Sequence, residues 1–122
     1  VAAKSGHPDA CVLLDAYHMY KGGTPPSVLK LLGRQAVHCF HMNDYPADPP
    51  RETINDADRI WPGDGIAPLS ELLRSLADNH CQVVLSLELF NRDYWQLPAD
   101  QAARTGLEKM KTAVAKAGLA QE

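Results

Sequence analysis

Three short apolar runs of the chain each end on a residue that can bind a metal or transfer a proton. CVLLD ends on Asp15, AVHCFH ends on His41 and QVVLSLE ends on Glu88. Such runs are typical of strands buried on both faces of a parallel sheet, where charge is costly and is expected only at a strand end. If the three ends meet at one edge of a sheet, an imidazole and two carboxylates form a divalent metal site. This oxygen-rich set favours Mn²⁺ or Mg²⁺ and also accepts Co²⁺ or Zn²⁺.

Among these residues, Glu88 is the clearest indication of a functional site. Burying a lone carboxylate within VVLSLELF costs several kcal/mol unless the carboxylate is paired or bound to a metal. An ion pair with an arginine is therefore the alternative to a metal. His41 can offer one ring nitrogen to a metal while Asp44 or a backbone carbonyl accepts from the other. His38 lies three residues earlier, so alternation places it on the opposite face as a structural histidine.

Two further segments carry candidate substrate-binding residues. Asp15 and His18 form a D-x-x-H pair, in which the imidazole faces the same cavity as the carboxylate. DADRIWPGDG places Arg59 and Trp61 before a Pro-Gly turn, where Arg59 can bind a hydroxyl or phosphate through two N–H groups and Trp61 can line the pocket. A solvated arginine and a packed tryptophan are the alternatives. Lys21 is expected to be a solvated loop cation.

Strands and helices alternate along the chain. This alternation indicates a parallel sheet with right-handed crossovers, in a β/α barrel or a doubly wound sheet. No glycine-rich fingerprint follows a strand, which argues against a nucleotide-binding Rossmann fold. The predicted elements are a helix end within 1–8, a strand at 11–15, a helix at 26–34, a strand at 36–41, a helix at 68–79, a strand at 82–88 and a last helix capped by Asp100.

The number of predicted β/α units is too small for a complete barrel. The 122 residues supply about three such units, whereas a β/α barrel needs eight strands and roughly 250 residues. We therefore interpret the chain as the C-terminal part of a barrel. Residues 42–67 form a long loop without periodicity, and loops of that length in compact domains are usually functional.

Composition excludes some classes of function. The formal net charge of −3 argues against a general nucleic-acid binder, and no apolar run approaches the roughly 20 residues that span a membrane. The first ten residues lack the layout of a signal peptide. The three cysteines lie in or beside predicted strands, which is typical of buried free thiols in a reducing compartment, so a cytoplasmic location is predicted.

Four motifs together resemble a known family. LLDAYH, HMND, RIWPGDG and SLELF, in this order, resemble the sugar phosphate isomerase/epimerase group of xylose isomerase-like TIM barrels, across nearly all of the chain. The resemblance implies an α/β fold in which residues 1–122 are the C-terminal portion of a single barrel domain. It implies that Asp15, His41 and Glu88 are three of four metal ligands. The first ligand, a glutamate, would lie on a strand preceding Asp15.

The resemblance also implies a reaction. It predicts a divalent-metal-dependent isomerase or epimerase that moves a proton next to a carbonyl of a ketose, sugar phosphate or related polyol, through a metal-stabilised enediolate. Glu88 would act as general acid/base, while His18 and Arg59 would hold the developing oxyanion and the sugar hydroxyls. The implied partners are a small-molecule substrate and the N-terminal part of the barrel, with a homo-oligomer as an option.

Three alternatives remain open at this point. A metal-dependent dehydratase on the same scaffold would start from the same enediolate and expel a hydroxyl. An endonuclease IV-like phosphodiesterase is disfavoured because Asp58, Arg59 and Ile60 stand where that branch has D-R-H, which removes a zinc ligand. A non-catalytic module, either a sugar-binding remnant or an inert fragment, is the third alternative. The three matching ligand residues argue against degeneration of the gene.

Overall fold

A three-stranded parallel sheet forms the centre of the molecule. The computed structural model describes residues 1–119. Strand β1 spans Val12–Asp15, β2 spans Val37–Met42 and β3 spans Val84–Leu87, with β2 between the other two. Both pairs of neighbouring strands are parallel, as the alternation of strands and helices predicted. All three strands lie within two residues of their predicted bounds.

Within residues 1–119, four α-helices and three 3₁₀ turns connect or flank the strands. Among residues 1–119, none of the helices combines the length and the apolar character that crossing a membrane requires. The helices are α1 (Ala2–Ser5), α2 (Ala16–Lys21), α3 (Leu69–Asp78) and α4 (Ala99–Lys116), and the 3₁₀ turns are Pro26–Leu31, Asp56–Asp58 and Tyr94–Gln96.

The segment between β1 and β2 differs from its predicted structure. The sequence predicted an α-helix over 26–34, but the structure has a 3₁₀ turn that ends at Leu31. Pro25 precedes the turn, Pro26 is its first residue and Gly33 follows it, so the element between them is short, which suits 3₁₀ geometry. The crossover instead contains α2, which was not predicted. Its N-cap is Asp15, whose carboxylate accepts the His18 backbone N–H at 3.0 Å.

The core lies where the helices cover the sheet. Phe40 and Met42 of β2 are fully buried, and they pack with a row of leucines from α3. Leu13 of β1 and Val84 of β3, on the two outer strands, are 53% and 68% exposed. Cys11 is also exposed, so the prediction that all three cysteines are buried was wrong for this one.

Helix α4 packs against the core through Met110, Ala113 and Val114. Gly106 is also buried, whereas Leu107 is apolar yet 54% exposed. A Cβ at Gly106 would overlap the Leu87 side chain and press on the Trp61 ring. The absence of a side chain thus lets α4 approach β3 closely. Asp100 lies inside the first turn and does not cap it, since the N-cap position is Pro98.

Candidate metal centre

The register of the sheet brings the three predicted ligands together. Asp15 pairs with His41, and His41 pairs with Ser86. Glu88 lies two residues after Ser86 and therefore points to the same side of its strand. The His41 Nδ1 atom is 3.5 Å from Asp15 Oδ2 and 3.3 Å from Glu88 Oε2. The convergence of these side chains follows directly from the alignment of three parallel strand ends.

These separations fit a divalent cation. One donor atom from each of Asp15, His41 and Glu88 lies within 4.8 Å of the others. Nitrogen and oxygen ligands bind Zn²⁺ at about 2.1 Å, so two ligands at a tetrahedral angle are about 3.4 Å apart. The measured distances of 3.3 and 3.5 Å match that value without rearrangement. The cluster therefore offers the donor atoms of a metal centre, and its two imidazole–carboxylate separations fit one.

A buried guanidinium pairs with both carboxylates of the cluster. Arg59 is 1% exposed, and its Nη1 donates to Glu88 Oε2 at 2.9 Å and to Asp15 Oδ2 at 3.3 Å. The sequence left open an ion pair between Glu88 and an arginine as the alternative to a metal, and Arg59 is that arginine. The ion pair does not exclude metal binding, because each carboxylate oxygen can accept more than one partner.

The other terminal nitrogen of Arg59 is also engaged by the protein. Nη2 donates to Asp56 and lies 3.1 Å from His18 Nε2. The guanidinium also sits over the Tyr17 ring at 4.4 Å and the Phe90 ring at 5.0 Å. The four N–H groups on the two terminal nitrogens therefore match four protein partners. These contacts favour a role in holding side chains of the site, and binding of a substrate hydroxyl or phosphate by Arg59 stays a prediction.

The remaining two predicted site residues differ in accessibility. His18 is exposed in the first turn of α2, and its ring lies beside Arg59 at the edge of the site. Trp61 is 8% exposed and stacks on Tyr94 at a centroid distance of 4.3 Å. Burial raises the pKa of Tyr94, so its hydroxyl stays neutral. This packing favours the alternative of a packed tryptophan, and contact of Trp61 with substrate stays a prediction.

Asp44 organises the long loop and does not support His41. Its carboxylate accepts four backbone N–H groups at 2.8–3.0 Å, from Tyr45, Gly63, Gly65 and Ala67. The proposal that Asp44 accepts from the His41 ring was therefore wrong. The reason is that Asp44 also pairs with Ile60 in an antiparallel bridge, which draws its side chain toward the loop.

Replacing Gly65 with alanine is expected to disrupt this loop. A Cβ at Gly65 would overlap the Tyr45 carbonyl oxygen and the Asp44 carboxylate, both of which are buried and hydrogen-bonded. We expect a loss of about 2–4 kcal/mol in the free energy of unfolding, measured with urea. Gly63→Asn is the matched control, because Gly63 has open space around its Cβ position and a positive φ that asparagine tolerates. Equal losses in the two variants would contradict this account of the loop.

Side chains of helix α2 bind the part of the loop between Arg51 and Ile54. Lys21 is exposed, as expected, but it ends α2 instead of lying in a loop, and its Nζ donates to the carbonyls of Arg51, Glu52 and Ile54 at 2.7–3.1 Å. The Tyr17 hydroxyl donates to the Ile54 carbonyl at 3.2 Å. Burial, together with nearby acidic side chains, raises the pKa of Tyr17 against the opposing effect of Arg59, which keeps this hydroxyl protonated as a donor.

A second aromatic side chain packs beside this helix. Tyr45 stacks on Tyr20 with their ring centroids 4.1 Å apart. Burial and the neighbouring Asp44 raise the pKa of Tyr45 to about 12, so this residue is neutral at physiological pH. The two tyrosines thus contribute packing beneath the loop.

Comparison with known proteins gives a consistent picture. A family model described as a xylose isomerase-like TIM barrel matches residues 1–113. The inosose isomerase of Halalkalibacterium halodurans is 31% identical over 111 residues, which is 91% of this chain and 39% of that protein. The inosose isomerase of Bacillus subtilis is 30% identical over 105 residues, which is 86% of this chain and 37% of that protein.

Solved structures resemble the chain over the same length. A crystal structure of the IolI protein with a bound zinc atom aligns with a TM-score of 0.88 and 28% identity, over 94% of this chain and 41% of that chain. A xylose isomerase domain protein from Alicyclobacillus acidocaldarius aligns with a TM-score of 0.73 and 29% identity, over 93% of this chain and 40% of that chain. The chain thus spans about two fifths of the length of these proteins.

Proposed function

Because the chain belongs to the xylose isomerase-like TIM barrel family, as its motifs predicted, we propose that it carries the metal-binding end of a divalent-metal-dependent isomerase. The reaction would move a proton on a carbon next to a carbonyl. The observation that carries this proposal is the cluster of Asp15, His41 and Glu88, whose donor atoms lie within 4.8 Å of one another.

The three ligands would hold the metal, and a divalent metal bound there supplies the Lewis acidity that makes a C–H next to a carbonyl easier to ionise. We propose Mn²⁺ for the two carboxylates and one imidazole, with Zn²⁺ as the second metal to test because the IolI structure contains it. Mg²⁺ and Co²⁺ fit the same donors. The cytoplasmic location stays a prediction.

Glu88 is the residue that we assign to proton transfer. Its side chain is about one third exposed, and its Oε2 atom contacts both His41 and Arg59. This arrangement leaves Oε1 for a proton of the substrate. A carboxylate placed beside the reacting carbon can remove the proton and return it. Arg59 holds Glu88 from the protein side, so the carboxylate does not have to reorient during the reaction.

His18 is the residue that we assign to the substrate oxygens. It is exposed at the N-terminal turn of α2, and its backbone is fixed by the Asp15 cap. The contact with Arg59 Nη2 places a donor against Nε2, so the neutral ring carries its proton on Nδ1. That N–H can donate to a carbonyl or hydroxyl oxygen. Within the predicted class of ketoses, sugar phosphates and polyols, the relatives favour an inosose, which is a ring ketone bearing hydroxyls.

Deuterium exchange tests this function. The full-length protein is loaded with Mn²⁺, mixed with an inosose in D₂O and followed by proton NMR. We expect loss of the signal from the proton beside the ketone, followed by appearance of the isomer, and at least a tenfold slower loss after chelation of the metal. Exchange that is equally fast with and without metal would contradict the proposal. Formation of a dehydrated product would favour the lyase alternative.

A further inference from the structure

Asn43 is a buried polar residue at the centre of the three strand ends. It directly follows β2, its side chain is fully buried, and no part of the proposed reaction uses it. Its Nδ2 donates to both oxygens of Asp15 at 3.2 Å and to the Glu88 carbonyl at 3.4 Å. One amide group from the end of β2 therefore contacts the residues that end β1 and follow β3.

The orientation of the Asn43 amide is determined by its surroundings. Its Oδ1 accepts the Tyr17 backbone N–H at 2.9 Å, whereas Nδ2 faces only carboxylate and carbonyl oxygens. Rotating the amide by half a turn would place Oδ1 against the Asp15 carboxylate and a donor against the Tyr17 N–H. Both contacts would be repulsive in a buried environment, so a single orientation is stable.

The contacts of Asp15 show what Asn43 adds as a third donor to its carboxylate. Its carboxylate accepts from the His18 backbone through Oδ1 and from Arg59 through Oδ2, while Oδ2 is also the atom nearest the His41 ring. Asn43 is the group that contacts both oxygens, so it controls rotation of the carboxylate about its last bond. A ligand oxygen that rotates away from His41 loses the separation that a shared metal requires.

We infer that Asn43 is a positioning residue for the metal centre, which it serves by fixing the Asp15 carboxylate and the backbone of Glu88. The inference rests on the proposed function, because it presumes that Asp15 binds a metal. Residues that hydrogen-bond to metal ligands typically contribute about tenfold to a hundredfold to metal affinity. Asn43 acts through Asp15 and does not contact the metal or the substrate itself.

Metal titration of the full-length protein tests this inference. Binding of Mn²⁺ and of Zn²⁺ is measured by calorimetry for the wild type, Asn43→Ala and Asn43→Leu. We expect both variants to bind each metal about tenfold to a hundredfold more weakly. Leucine keeps most of the volume of the asparagine side chain, so Asn43→Leu carries the test if the alanine variant does not fold.

Asn79→Ala is the matched control for a lost hydrogen bond. The Asn79 side chain also donates to a backbone carbonyl, that of Leu29, but it lies at the end of α3 away from the ligands. We expect this variant to lose stability and to keep the metal affinity of the wild type. Unchanged affinity in the Asn43 variants would overturn the role of Asn43 alone. A wild type that binds neither metal would overturn the metal site, and both proposals with it.

Discussion

Glu88→Gln in the full-length protein is expected to lower the rate of deuterium incorporation into an inosose by about 10³-fold. Glutamine has the shape of glutamate, but it cannot accept a proton from carbon at neutral pH. Its amide oxygen can still approach the metal, and Arg59 can still donate to that oxygen, although the charge of the pair is lost. The exchange rate measured by NMR at saturating Mn²⁺ therefore reports mainly on the loss of the base.

Two further measurements separate the base from the ligand. The metal content of Glu88→Gln, determined after removal of excess Mn²⁺, shows whether the variant still holds the ion. Glu108→Gln is the control, because this glutamate is exposed on α4 and is not one of the three residues of the cluster. If Glu88→Gln retained the metal and exchanged deuterium as fast as the wild type, the assignment of Glu88 as the base would be contradicted.

Arg59→Met is expected to produce the largest loss of stability. The substitution keeps an unbranched side chain between the Tyr17 and Phe90 rings but removes the charge that Asp15 and Glu88 share. Asp15 is only 5% exposed, so its carboxylate cannot recover full hydration. Removing one partner of a buried ion pair typically costs about 3–5 kcal/mol. We expect that loss in the metal-free protein, measured by urea unfolding.

Arg51→Met provides the matched control for this prediction. Arg51 also pairs with a glutamate, but the contact to Glu52 is 3.7 Å long, and the two side chains are 50% and 71% exposed. Exposed pairs of this kind contribute about 0–1 kcal/mol. The difference between the two variants thus measures the effect of burial. If Arg59→Met were no more destabilising than Arg51→Met, the guanidinium would not be holding the carboxylates.

The part of the site that the sequence predicted is the part that strand geometry determines. Asp15, His41 and Glu88 were recognisable because a charge is expected only at the end of a buried strand. Their proximity then followed from parallel pairing. The order of strands and helices determined the fold class in the same way, since each element has its own periodicity. These predictions depended on short-range patterns that a linear sequence contains.

The part that was not predicted depends on how an irregular loop folds back. Asn43 and Asp44 are adjacent and polar, and nothing in HMND shows which side chain turns toward the ligands and which toward the loop. In the structure, the Asn43 side chain donates to Asp15, whereas the Asp44 carboxylate accepts from backbone amides of the loop. The burial of Arg59 could not be predicted either, because most of its partners are distant in sequence. Asn43 had one usable signal, which is its position directly after a strand that ends on a ligand.

The hydrogen bonds of Asp44 have an evolutionary consequence. The carboxylate and the bridge to Ile60 close the loop at a point next to Arg59, and Lys21 secures the carbonyls before it. The intervening segment 46–50 makes none of these contacts. We expect insertions and deletions there to leave the arginine in place, so that the surface beside the site can vary between relatives independently of the three strand-end residues.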